Sequence, residues 1–238
     1  MKIRFIVLAC SYKHGGRCVA GIDLQAKKLI RLLSRDKNSN YAIPKEECRV
    51  NNRYLLPLDI VEVDIDERAP RSGAQTENYY VSSPLIKSYI GQAKESDIQS
   101  YRFKSTISPY PFDSKDPFLN YGAYNHRDYS LCLIQAYAIS FRTIKNSEGR
   151  DKTKVSFDVY KYNGEKVRLV DYSVTDPLYT FFEGINREGK SNLGKAWLLI
   201  SLGQDDDSDH YYKYVSGIID FTGQTTNQKS IEDLFLKQ

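Results

Sequence analysis

Two cations, a histidine and a pair of glycines stand together near the start of the chain, at Lys13, His14, Gly15, Gly16 and Arg17. Glycine lets backbone N–H groups approach a partner closely, and lysine and arginine side chains neutralise phosphate. The pattern lacks the following helix that Walker and dinucleotide-binding loops require. We therefore interpret it as a candidate phosphate contact, with no indication of nucleotide hydrolysis.

Neighbouring residues are predicted to extend this surface. Tyr12 offers a ring for base stacking, and Lys27, Lys28 and Arg31 add cations if the next turn lies on the same side. The alternative is that the glycines only permit a turn and that the cations are solvated. Other tyrosines are also candidates for base stacking, and the alternative for each is packing between neighbouring strands. They are Tyr41, Tyr54, Tyr79, Tyr80, Tyr211, Tyr212 and Tyr214.

A β-hairpin must carry the glycine pair. The apolar run from Ile3 to Ala9 enters it and the run from Arg17 to Ile22 leaves it, which is the pattern of two strands joined by a tight turn. Gly21 inside the second run indicates a bulge or a sharp bend. Lys28 to Leu33 predicts a third strand, although periodicity alone also permits a helix from Leu24 to Leu33.

Two further strands complete a small barrel within residues 1–83. Pro57 to Ile65 alternates between apolar and polar residues, and Tyr79 to Val81 is a short β-rich run. Residues 36–56 between the third and fourth strands are polar and irregular. Five strands in a segment of this length are typical of a small closed barrel.

A helical and irregular connector is predicted over residues 84–127. Pro84 to Arg102 carries apolar residues at helical spacing, and residues 107–127 combine prolines with aromatic rings. The apolar residues of the predicted helix are Leu85, Ile86, Tyr89 and Ile90. The aromatic content indicates a packed segment and not a flexible linker.

A second small barrel is predicted over residues 128–222, followed by a C-terminal tail at 223–238. Asn163 and Gly164 predict a two-residue hairpin turn, and Thr175 or Asp176 before Pro177 predicts the start of a helix. Its strands are expected at 129–136 (continuing or restarting at 138–143), 154–160, 166–170, 196–203 and 210–221. No residue-level repeat relates this half to the first.

Charge is unevenly distributed along the chain, whose net charge is +4. Residues 1–58 hold 12 Lys and Arg against 4 Asp and Glu, whereas the remainder is net acidic. A basic first part indicates a polyanionic partner, and a solvated surface is the alternative. The 19 tyrosines and 10 phenylalanines favour half-buried strands, in which a ring packs while a hydroxyl stays hydrated.

Metal, redox and catalytic functions receive little support from the sequence. The spacing of Cys10, His14 and Cys18 permits a metal site only formally, because a fourth ligand is not evident. The acidic run from Asp205 to Asp209 is typical of a solvated loop, and the alternatives are Mg²⁺ binding or a part in hydrolysis. No nucleophile–base or paired-carboxylate arrangement is evident, so we expect a non-catalytic protein without a cofactor or a metal.

The cysteines and the hydropathy pattern bear on location. The 4 cysteines show no paired spacing, and Ile3 to Ala9 is too short for a signal peptide or a membrane span. We therefore expect a reduced, cytoplasmic protein that does not contact a membrane.

Several ordered blocks resemble the bacterial dual OB-containing domain family. They are Lys13 to Gly21, Pro57 to Val61, Thr175 to Pro177, Trp197 to Gly203 and Tyr212 to Ile219. The resemblance implies a mainly β chain with two small OB-like β-barrels packed together, and a role in bacterial defence or conflict systems. Where the family usually has a Trp-Ile-Arg-Pro-like run, this chain has Leu29-Ile30-Arg31-Leu32, which removes the stacking ring expected there.

Two functions are compatible with these features. The first is a nucleic-acid or nucleotide binding module that holds single-stranded DNA or RNA through the basic loop and stacked tyrosines. The second is a protein-interaction or sensor adaptor for a separately encoded effector, which the acidic second half and the aromatic connector favour. Salt-dependent binding to single strands separates the first from the second.

Overall fold

The computed structural model describes residues 1–13, 15–69, 75–103, 108, 110–120, 129–145, 149, 151–175, 192–204 and 209–221. These residues form two compact units. The first contains residues up to 69, residues 76–101 and Phe221, and the second contains Gln75 and the described part of 102–220. Within the described residues, no helix has the length and apolar character needed to span a membrane.

Strands account for most of the regular structure. In chain order they are β1 (Lys2–Lys13), β2 (Gly16–Asp23), β3 (Lys28–Leu33), β4 (Arg49–Val50), β5 (Arg53–Tyr54), β6 (Asp59–Arg68), β7 (Asn78–Gln92), β8 (Phe118–Asn120), β9 (Leu131–Lys145), β10 (Asp151–Tyr160), β11 (Lys166–Val174), β12 (Asn192–Gln204) and β13 (His210–Ile219). The helices are α1 (Glu95–Gln99) and two 3₁₀ turns, Lys45–Cys48 and Pro111–Asp113. The prediction of a mainly β chain is confirmed.

The first unit is a closed barrel in which the strands follow the order β1-β2-β3-β7-β6. All neighbouring pairs are antiparallel except β3 and β7, which run parallel. The predicted hairpin is present, with Lys13 paired to Gly16 across its turn, and the third strand at Lys28–Leu33 is confirmed. Alternate residues such as Val61 and Val63 fill the interior, as the alternation of the fourth predicted strand requires.

Gly21 occupies a site where β1 and β2 approach closely. The strand register shifts between Val7 and Ala9 opposite Gly21, and a Cβ built on Gly21 would lie 1.9 Å from the Ile6 carbonyl oxygen. The predicted bulge therefore exists, but the extra residue is on β1. The absence of a side chain at Gly21 allows the sheet to bend there.

The segment between β3 and β6 closes one end of the first barrel. Its backbone bonds to β2 through Arg17 and Ile43, with N···O distances of 2.8 and 2.9 Å in the two directions. Apolar residues of this segment lie in the barrel core: Ile43, Cys48, Val50 and Leu55. Residues 34–58, which the sequence indicates as largely polar and irregular, therefore contribute buried side chains to the barrel, and we call them the plug segment.

The helix predicted over Pro84 to Arg102 is wrong. Residues 78–92 form β7, and only α1 follows within the predicted span. The pairing of β7 with β6 contains four register shifts, three of which insert residues on the β7 side and so change the face that the following residues take. Leu85, Ile86 and Tyr89 therefore all face the core at a spacing that imitates a helix.

The predicted connector at 84–127 is divided between the two units. Strand β7 crosses the predicted boundary at residue 83, and the continuous part of the second unit starts at Arg102. Phe112 lies in the core of the second unit and stacks on Tyr129 with ring centroids 5.6 Å apart. The expectation of a packed aromatic segment holds for residues 110–120, which belong to the second barrel.

The second unit is also a closed barrel. Strand β9 pairs with β10 and β12, β10 pairs with β11, and β13 closes the ring by pairing antiparallel to β12 and parallel to β11. The short strand β8 adds to β13. Buried Lys213 of β13 anchors the segment that leads into β8, since the Lys213 Nζ donates to the Ser114 carbonyl oxygen at 2.7 Å.

The two barrels share one connectivity although their sequences do not repeat. In each, the first strand pairs with the second and fourth, and the third pairs with the fifth in parallel.

The predicted turn at Asn163 and Gly164 is present, but its loop is longer than two residues. The backbone N–H of Lys161 bonds to the Glu165 carbonyl oxygen, and of the two predicted turn residues Gly164 alone has a positive φ. The predicted helix after Thr175 and the tail at 223–238 lie outside the described residues.

Candidate nucleic-acid interface

The hairpin tip, at the turn between β1 and β2, is described for Tyr12, Lys13, Gly15, Gly16 and Arg17. Tyr12 pairs with Arg17 and is 47% exposed, and Lys13, the last residue of β1, is half-buried. Gly15 has a φ of +79°, a backbone conformation that residues with a side chain disfavour, and no atom lies within 4 Å of the position that its Cβ would take. His14 lies outside the described residues.

Arg17 and Gly16 have roles in the fold that the sequence does not reveal. Arg17 is only 1% exposed, and its guanidinium lies 5.9 Å from the Tyr12 ring centroid. A Cβ on Gly16 would lie 2.6 Å from the Ile43 carbonyl oxygen, so the small residue accommodates the plug segment. Arg17 therefore supports Tyr12 from below and does not present its charge to solvent.

The remaining predicted cations do not join the hairpin tip. Strand β2 runs for 8 residues between the tip and the next turn, so about 23 Å separates its ends. Lys27 and Lys28 are exposed at that far end, where the Lys28 Nζ donates to the Tyr79 hydroxyl at 2.6 Å. Arg31 is buried midway along β3 and donates to the Asn78 side-chain oxygen at 2.8 Å.

Lys13 is the cation that the tip offers to a ligand. Burial lowers the pKa of its ammonium group; the charge of Arg31 also lowers it, while the Cys18 thiol raises it. A partly desolvated ammonium gains from an incoming anion. The tip therefore combines one exposed ring with one cation that favours an anionic partner.

Cations lie over tyrosine rings at other points of the first barrel. Arg49, exposed on the plug segment, lies 4.7 Å from the Tyr54 ring centroid, and Arg35 lies 4.8 Å from that of Tyr80. Arg35 is also paired with Asp66 and Glu67, so its charge is largely neutralised. Arg49 is not predicted from the sequence, because a polar, irregular run does not show how residues 36–56 fold against the tip.

The tyrosines of β13 divide between the core and the surface. Tyr211 is buried in the second barrel, whereas Tyr212 and Tyr214 are half-buried on the opposite face of the strand. Phe118 and His210 extend this face, with ring centroids 4.9 Å apart. Those two rings were missed because β8 had been placed in the connector, although the alternation of β13 already indicates His210.

The structure does not assemble the formal cysteine–histidine metal set. Cys10 faces the core with Val19, and Cys18, the residue before Val19, faces the opposite side of β2. Among the described residues, no group of three or more histidine, cysteine or acidic side chains converges for a metal ion. Residues 205–208 of the acidic run lie outside the described residues.

The connectivity of both barrels is that of the OB-fold, a five-stranded Greek-key barrel. A comparison with known families matches residues 3–218 to the dual OB-containing domain. No curated protein matches the chain. Because the match spans nearly the whole chain and the structure has two such barrels, the protein belongs to the dual OB-containing domain family.

Proposed function

We propose that the first barrel binds single-stranded DNA or RNA at its hairpin tip, with Lys13 contacting phosphate and Tyr12 stacking on a base. The observation that carries this proposal is that the hairpin tip combines the exposed Tyr12 ring, whose centroid lies 5.9 Å from the buried Arg17 guanidinium, with the partly desolvated Lys13 ammonium. A cation next to an exposed ring is the combination by which single strands are held without sequence preference.

The accessible part of the first barrel supports this placement. OB-folds bind oligonucleotides on the second and third strands and on the loops beside them. Here Val19–Asp23 of β2 and Ile30–Leu33 of β3 are buried, whereas Tyr12 at the hairpin tip is exposed, so the tip is an accessible part of this surface. The plug segment, whose Ile43 bonds to Arg17 of the tip, also carries the exposed Arg49 against the half-buried Tyr54 ring.

Replacing Lys13 by methionine is expected to weaken binding of a short single-stranded oligonucleotide about fivefold and to flatten its salt dependence by about one phosphate contact. Stability should be unchanged or slightly higher, because burial already disfavours the charged ammonium. The measurement is fluorescence anisotropy of a labelled poly-dT or poly-U strand over a series of salt concentrations.

Replacing Tyr12 by alanine tests the stacking half of the proposal. Removing an exposed ring that contacts a base should cost about tenfold in affinity at constant salt slope, whereas Tyr12→Phe should bind as the parent does. Lys27→Met, at the far end of the barrel, serves as the matched charge control and should leave affinity within about twofold. Equal losses from Lys13→Met and Lys27→Met would place the interaction elsewhere.

The defence role implied by the family is part of the same proposal, as a module that recognises a strand for a separate effector. Absence of oligonucleotide binding at low salt, together with capture of one protein partner that resists nuclease treatment, would replace it with the adaptor function. Chromosomal neighbours that encode nucleases or toxins would support the defence role.

A further inference from the structure

A pocket of about 470 Å³ opens in the second barrel where β9 and β10 separate. The two strands are paired as far as Tyr137 and Asp158. Beyond that point the backbone N–H of Phe103 bonds to the Leu133 carbonyl oxygen of β9 at 2.7 Å. The strands therefore splay around an inserted segment, and the gap lies within the size range of small-molecule sites.

Aromatic side chains form the walls of this pocket. Its floor is Ile134 and Val159, both part of the barrel core. Tyr137 and Tyr160 meet edge to face, with centroids 4.9 Å apart and an interplanar angle of 81°. Tyr160 is 43% exposed, so one ring is available at the rim to stack on a planar ligand.

Polar groups of the pocket are placed to orient such a ligand. The Tyr137 hydroxyl donates to the Gln135 Oε1 at 2.6 Å, which fixes the amide at the pocket wall. Side-chain amides of this kind bond to the edges of nucleobases. A planar ligand stacked on Tyr160 would therefore also bond to the Gln135 amide through its polar edge.

Both charged residues at the pocket are cations, Arg102 and Lys161. Lys161 is held by Glu165, with 2.6 Å between Nζ and the carboxylate oxygen. Arg102 is exposed and adjoins Phe103 at the inserted segment, where a guanidinium can contact phosphate. The pocket thus suits a planar aromatic group that carries a negative charge.

We propose that this pocket binds one nucleotide, with the base stacked on Tyr160 beside Gln135 and the phosphate held by Arg102. The shared chemistry is a nucleobase with a phosphate, and its source is a free mononucleotide or the terminal nucleotide of a strand. The proposal concerns residues of the second barrel alone and does not depend on the hairpin tip of the first.

Isothermal titration of the full chain with AMP, GMP, CMP and UMP is the test. At least one should bind saturably, with a Kd on the order of 0.1 mM or tighter. Tyr160→Ala should weaken that binding about tenfold, while Tyr160→Phe retains it. Arg102→Gln should also weaken nucleotide binding about tenfold. The matched charge control is Arg142→Gln, at an exposed position of β9, which should leave the affinity unchanged.

Two comparisons identify the ligand source and protect the test against misfolding. A 5′-phosphorylated trinucleotide that binds at least tenfold more tightly than its mononucleotide assigns the pocket to strand ends, and equal affinity assigns it to free nucleotides. Tyr162→Ala, at a rim residue 81% exposed, should weaken binding without loss of circular-dichroism signal. No saturable binding of any nucleotide, or equal binding of inorganic phosphate, would overturn the proposal even if the first barrel binds oligonucleotides.

Discussion

Replacing Asp59 by alanine is expected to lower the free energy of unfolding of the first barrel by about 3–5 kcal/mol. Asp59 is fully buried and accepts two hydrogen bonds from the Arg53 guanidinium, each at 2.7 Å. Its carboxylate also accepts the Leu56 backbone N–H at 2.8 Å. Without the carboxylate, Arg53 retains a charge that is only 12% exposed.

Urea unfolding followed by far-UV circular dichroism measures this loss. The matched control is Glu67→Gln, which removes an exposed ion pair of Arg35 in the same barrel and should cost less than about 0.5 kcal/mol. Equal stabilities of the two variants would show that the Arg53–Asp59 pair contributes nothing. Because Arg53 belongs to the plug segment beside the hairpin tip, the Asp59 variant should also weaken oligonucleotide binding.

Replacing Gly21 by alanine should destabilise the first barrel by about 2–4 kcal/mol. The new Cβ would lie 1.9 Å from the Ile6 carbonyl oxygen and 2.8 Å from the Phe5 ring. The nearer of these atoms is backbone, so no side-chain rotation relieves the clash. The β1–β2 pairing must shift, and that pairing supports the hairpin tip.

Gly194→Ala is the control for this substitution. Gly194 lies in β12 with nothing within 4 Å of an added Cβ, and alanine there should change stability by less than about 1 kcal/mol. Trp197, the only tryptophan, is in the second barrel, so its fluorescence follows that barrel separately from the circular-dichroism signal. A Gly21→Ala variant as stable as Gly194→Ala would contradict the close approach of the two strands.

Most of the strands are predicted from the sequence because a strand with one buried face alternates between apolar and polar residues. The hairpin at Lys13 to Gly16 and the alternation of Val61 and Val63 are set by neighbours two residues apart. Strand β7 was misassigned because its repeated register shifts remove that period of two. Bulges depend on the partner strand, so the pattern of one strand alone does not reveal them.

The sequence by itself determined most of the barrels' strands, although not β8 or the greater part of β7, and the presence of cations, tyrosines and glycines at the first hairpin. Only the tertiary structure decided which of those groups meet solvent: it buries Arg17 and Arg31 and places Lys27 and Lys28 at the opposite end from Lys13. It also forms the pocket of Tyr137, Tyr160 and Arg102 from three separate segments. Strand identity follows from local spacing, whereas exposure and convergence depend on how distant segments close each barrel.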